Sequence, residues 1–88
     1  MNTDATAGKT EILEVVRQQI RGVIPELESH PLDGTDSLKD LGANSMDRAD
    51  IVAGIMDALS LSIPRVELFG PNNIGELVDL IHGKLQRR

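Results

Sequence analysis

The stretch SMDRADIVAGIMDAL, Ser45–Leu59, decides the fold. Placed at roughly 100° per residue, Ile51, Val52, Ile55 and Leu59 gather on one side of a helix. Met46, Asp50, Ala53 and Asp57 fall on the other side, the last three within about 40° of Met46. The first set is a core face. The second is a stripe turned outward, with Met56 at its edge, and it mixes methionine and a small apolar residue with acids. A helix with one apolar side must be covered by other elements.

Two further segments offer that cover. Ile12, Val16, Ile20 and Val23 recur at three- and four-residue steps, which predicts a first helix running to about Ile24, capped by Thr10 and barred from continuing by Pro25. Ile74, Leu77, Val78, Ile81 and Leu85 mark a last helix, with Asn73 as its cap. Between the first two helices, residues 25–44 form a long connection rich in Pro, Gly, Asp and Ser, with Asp36 expected to cap a short turn over SLKDL. Leu27, Leu32, Leu38 and Leu41 along it predict a loop pinned to the core, and loops this long in small domains are often functional. Pro64 opens a short helix, PRVELF, which Gly70 and Pro71 end. No segment alternates as a strand does. The expected fold is all-α: a small antiparallel bundle of three main helices plus one short one. The expected organisation is a flexible tail over residues 1–9 and one domain over 10–88.

Composition narrows the function. The 88 residues contain no cysteine, which excludes disulfides and thiolate metal sites and suits a reducing compartment. No apolar run approaches the roughly 20 residues of a membrane span. The polar start, MNTDATAGK, lacks a signal peptide's apolar stretch, so a cytoplasmic protein is expected. The net charge of −5 is unevenly placed: residues 26–57 hold eight acids and two bases, Lys39 and Arg48. Phosphate backbones are repelled there, while a basic protein surface is steered in; the same charge also serves plain solubility. Phe69 is the single aromatic, which disfavours base stacking and an aromatic-lined ligand pocket. With no apolar seam in view, a monomer is expected.

Ser45 opens the helix with which we began. It suits an N-cap, and it equally suits a modification site, since both need the hydroxyl at the helix end. A phosphate there would sit in the favourable field of the helix N-terminus. A nucleophilic role needs a base within reach, and the two histidines, His30 in a loop and His82 near the chain end, lie far away in sequence. The GANSM stretch does not match the G-x-S-x-G elbow.

LGANSMDRAD, Leu41–Asp50, resembles the attachment motif of acyl carrier proteins, usually written L-G-x-D-S-L. Leu41, Gly42 and Ser45 match, and Met46 stands at the apolar position. The resemblance extends over about residues 10–85, including IPRVELFG as the short helix and NIGELVDLI in the last. Asn44 replaces the usual aspartate. Together with Ser45, Asp47, Arg48 and Ala49, and Asp50 in place of a glutamate, it makes the motif similar to that of the discrete donor carriers of polyketide β-branching cassettes.

The resemblance implies 4′-phosphopantetheine on Ser45, installed from coenzyme A by a Mg²⁺-dependent phosphopantetheinyl transferase. It implies a malonyl or acetyl thioester on that arm and no catalysis by the carrier itself. The implied partners are an acyltransferase, a decarboxylating ketosynthase and an HMG-CoA-synthase-like enzyme that takes the acetyl unit. Met46, Asp47, Asp50, Ala53, Met56 and Asp57 would meet these partners, joined by Val66 and Glu67 of the short helix. Three other readings stand beside this one: a fatty-acid, polyketide or peptide carrier of another kind; a cofactor-free acidic docking bundle in which Ser45 only caps; and, with little behind it, a small serine hydrolase. Met56 also has the plainer reading of a gap filler over the core.

Overall fold

The structure, a computed structural model, describes residues 8–86, the side chain of Gln86 excepted. Three α-helices appear in it: α1 (Lys9–Val23), α2 (Ser45–Leu59) and α3 (Ile74–Gln86). Two short 3-10 turns accompany them, Pro25–Leu27 and Arg65–Phe69. The described residues include no strand, and none of their helices is long and apolar enough to cross a membrane. The expected tail falls, over residues 1–7, outside the described residues. Gly8 and Lys9 already belong to the cap and first turn of α1.

The periodic residues form the core as expected. Ile12, Val16 and Ile20 from α1, Ile51, Val52 and Ile55 from α2, and Ile74 and Ile81 from α3 are all shut off from solvent. Helix α1 is the central element and packs on both α2 and α3. No Cα of α2 comes within 8 Å of one in α3; the second 3-10 turn, Arg65–Phe69, touches both and bridges the gap. A groove is therefore left between α2 and α3.

Two caps differ from expectation. α1 is capped by Gly8, not Thr10, and Glu11 accepts the Gly8 N–H at 3.0 Å. That register puts a carboxylate three residues after the cap, where it can reach back; a cap at Thr10 would put Leu13 there. In the long loop, Asp36 accepts the Asp33 N–H at 2.8 Å instead of capping the SLKDL turn, and Ser37 Oγ takes the Asp40 N–H at 3.4 Å. At the end of α3's approach, Asn73 caps as expected, its Oδ1 accepting from Glu76 N at 2.8 Å. The short PRVELF helix is a 3-10 turn of five residues, with Pro64 at its cap rather than in its first turn.

The loop is pinned from three sides. Leu27 and Leu32 are buried, and Leu38 and Leu41 pack on the core. Arg17 Nε donates to Leu32 O at 2.9 Å, and Arg21 Nη2 to His30 O at 3.0 Å. The loop carbonyls of Gly34 and Asp36 accept from Gly75 N at 2.7 Å and Ile74 N at 2.9 Å, using N–H groups that open α3 and have no partner within it. A Cβ on Gly75 would stand 3.0 Å from Gly34 O, so this close approach favours glycine.

Candidate functional site

The loop delivers the chain to α2 through one closed turn. Leu41 N donates to Ser37 O, Ala43 N to Leu38 O and Gly42 N to Lys39 O, with Gly42 at a φ of 95°. This is the Schellman arrangement, and its left-handed position is one that glycine fills without strain. Ala43, next in the chain, is buried. Asn44 then caps α2, its Oδ1 accepting from Asp47 N at 2.8 Å while Asp47 Oδ2 accepts from Asn44 N at 3.3 Å. The cap is therefore Asn44 and not Ser45, which is the first helical residue. The reason is the one seen at α1. Three residues after Asn44 stands Asp47, an acceptor; three after Ser45 stands Arg48, which has none to offer. We expect Asn44→Ala to cost about 1 kcal/mol in a urea titration, against a few tenths for Asn44→Gly.

Freed from capping, Ser45 is exposed, on the first turn of a helix whose N-terminus favours negative charge. Arg48 lies one turn on and is half-buried. Its Nη1 donates to Ala43 O at 3.2 Å and its Nη2 to Ser45 Oγ at 3.5 Å. A guanidinium has no lone pair with which to take the serine proton, so this neighbour does not make Ser45 a nucleophile.

Arg48 also lines a groove between α2 and α3, about 300 Å³ in volume. Its walls include Leu38 from the loop, Arg48 and Val52 from α2, Leu68 and Phe69 from the bridging turn, and Leu77 from α3. The single aromatic does line a cavity after all, and it is 44% exposed. Nothing in the local pattern of the sequence marks this groove, because it exists only where α2 and α3 fail to meet.

The remaining residues expected at the site lie along α2 and the bridging turn. Among the described residues, Met46 and Val66 are the most open of the large apolar side chains, at 77% and 71% exposure. Asp50 and Asp57 are exposed, and Ala53 is half-buried. Met56 packs partly on the core, as a gap filler would, and with Ala53, Asp57, Leu61 and Arg65 it also lines an open depression. Asp47 is engaged in the cap. Glu67 is paired with Lys84 of α3 at 2.6 Å, which fastens the bridging turn to that helix.

A protein-family model described as "Phosphopantetheine attachment site" matches residues 14–81, a span that contains the whole α2 N-terminus. The chain belongs to the acyl carrier family. Members of this family carry 4′-phosphopantetheine covalently. The carrier is 46% identical over 78 residues to the polyketide biosynthesis acyl-carrier-protein AcpK of Bacillus subtilis (strain 168), covering 89% of this chain and 95% of that one. Among solved structures it is similar to the carrier chain in the crystal structure of the curacin biosynthetic pathway HMG synthase in complex with acetyl donor-ACP. There the TM-score is 0.83 and the identity 48%, covering 88% of this chain and 99% of that one. The carrier's own residues fit the prosthetic group: an exposed hydroxyl on the first turn of α2, a guanidinium beside it and an open groove that the guanidinium lines.

Proposed function

We propose that Ser45 bears the 4′-phosphopantetheine and that the carrier is an acetyl donor to an HMG-synthase-like enzyme in polyketide β-branching. When bound, the group supplies a terminal thiol that holds an acyl unit as a thioester, a function no residue of this cysteine-free chain offers. The observation that carries the attachment reading is the position of Ser45: exposed, relieved of capping by Asn44, and open to an incoming transferase. The donor reading is supported by the solved complex, in which a chain 48% identical to this one serves an HMG synthase. The carrier acts as a monomer, performs no chemistry of its own, and receives its acyl unit through an acyltransferase and a decarboxylating ketosynthase.

On this reading, Met46 and Val66 supply an apolar patch and Asp50 and Asp57 the steering charge, with Ala53 and Met56 forming the shallow floor between them. Charge speeds encounter and a small apolar patch holds it briefly, which suits a carrier that must leave each partner. Asp47 and Glu67 contribute less than their charge suggests, since one holds the cap and the other Lys84.

The test is to incubate the protein with coenzyme A, Mg²⁺ and a broad-specificity phosphopantetheinyl transferase, take an intact mass, then present the acetyl-loaded form to an HMG-synthase-like enzyme. One phosphopantetheine addition and acetyl transfer are expected. Addition without transfer would leave a carrier of another kind. Met56→Glu is expected to weaken the HMG-synthase-like partner several-fold while leaving transferase loading nearly unchanged; equal losses with both enzymes would remove Met56 as a selective contact.

A further inference from the structure

Resting on Ser45 as the attachment point, we propose that Arg48 is the phosphate-binding residue of this carrier. Its guanidinium pairs with the phosphodiester that joins the arm to Ser45 and so holds the near end of the arm at the groove between α2 and α3.

Three independent features lead there. The first is geometry. Arg48 Nη1 is anchored on the carbonyl of Ala43 at 3.2 Å, and this places Nη2 3.5 Å from Ser45 Oγ, the atom from which the phosphodiester would extend. A planar guanidinium already fixed by one hydrogen bond loses little freedom when it takes another.

The second is missing pairing. Arg48 lies in the most acidic part of the chain, where residues 26–57 hold eight acids, yet among the described residues no carboxylate comes within 4 Å of it. Ion pairs among the described residues include Lys9–Asp79, Arg17–Glu14 and Lys84–Glu67. A half-buried cation left without an anion amid so many is well placed to receive one from outside.

The third is convergence. The two bases of that acidic segment, Lys39 and Arg48, are nine residues apart in sequence and come from different elements, but both line the groove, and Arg48 reaches from it to Ser45. The groove therefore carries a positive lining inside a negative region. A phosphodiester on Ser45 adds negative charge to this acidic segment, and Arg48 offsets that repulsion where the attachment begins.

The experiment uses the full chain, labelled with ¹⁵N and compared before and after loading with coenzyme A, Mg²⁺ and a phosphopantetheinyl transferase, with intact mass as the loading control. The Arg48 Nε–H signal, assigned by its loss in Arg48→Lys, is expected to shift on loading. Those of Arg17 and Arg21, which bond to loop carbonyls, are expected to stay in place. The ³¹P signal of the loaded protein is expected to differ between wild type and Arg48→Gln, to be partly restored in Arg48→Lys, and in wild type to move towards the glutamine variant as salt rises. The wild-type comparison before and after loading needs no variant, so a poorly folded Arg48→Gln does not block the test. An Arg48 signal that moves no more than that of Arg17, with superimposable ³¹P signals, would overturn this inference alone. Absence of any mass addition to wild type would overturn the attachment reading and this inference with it.

Discussion

Ser45→Ala is expected to remove all phosphopantetheine loading while leaving stability within about 0.5 kcal/mol of wild type. The size of the first effect follows from chemistry: on the proposed attachment the phosphodiester forms on Oγ, and alanine has none. The small size of the second follows from the cap. Were Ser45 the N-cap, its replacement would cost about 1 kcal/mol. Asn44 makes the capping bonds, so the variant keeps them intact and forgoes only the 3.5 Å contact from Arg48. Alanine also suits the first turn of a helix at least as well as serine. Intact mass after exposure to coenzyme A, Mg²⁺ and transferase reads the first effect, and a urea titration the second. Loading that persists in Ser45→Ala would move the attachment to another residue. A variant that no longer folds would make Ser45 a structural residue first.

Ile55→Ala has the largest expected effect on the fold. The side chain is closed to solvent on the inner face of α2, in a cluster with Ile20, Leu68 and Ile81. Removing its outer atoms costs their transfer from water and leaves a cavity, about 2–5 kcal/mol together. A domain of this size has stability near the lower end of about 5–15 kcal/mol, with no disulfide to add to it. The variant should therefore lose roughly 10 °C or more in Tm, and an appreciable part of it should be unfolded at physiological temperature. Thermal unfolding followed by circular dichroism checks this. A loss below about 1 kcal/mol would show that the α2 face can close over the gap or that Ile55 is not enclosed. Because α2 carries Ser45 at one end and this core face along its length, loading should fall in Ile55→Ala only as far as the folded fraction does. A larger fall would mean that the transferase reads the rigidity of the helix.

The outward stripe and the core face of α2 were legible because a helix assigns faces by local arithmetic, and Met46, Asp50 and Ile55 lie where their spacing puts them. The turn that leads into α2 was legible because Leu41, Gly42 and Ser45 lie within one short stretch of backbone, with glycine at the left-handed position. The caps fall elsewhere than expected at three places: Glu11 and Asp47, each three residues after the true cap, hold the information that Thr10 and Ser45 do not, and Asp36 turns back to Asp33 and leaves the SLKDL turn to Ser37. Other features have no local signature. Arg17 and Arg21 hold loop carbonyls 15 and 9 residues away. Lys84 holds Glu67 across two elements. Phe69, Lys39 and Arg48 share a groove that exists because α2 and α3 stand apart with a 3-10 turn between them. By itself, then, the sequence determined which residues face inward, where each helix runs and which serine heads α2, since those depend on spacing along the chain. What surrounds that serine, a guanidinium without a carboxylate and a groove beside it, was decided only by tertiary structure, because it depends on how far apart two helices come to rest.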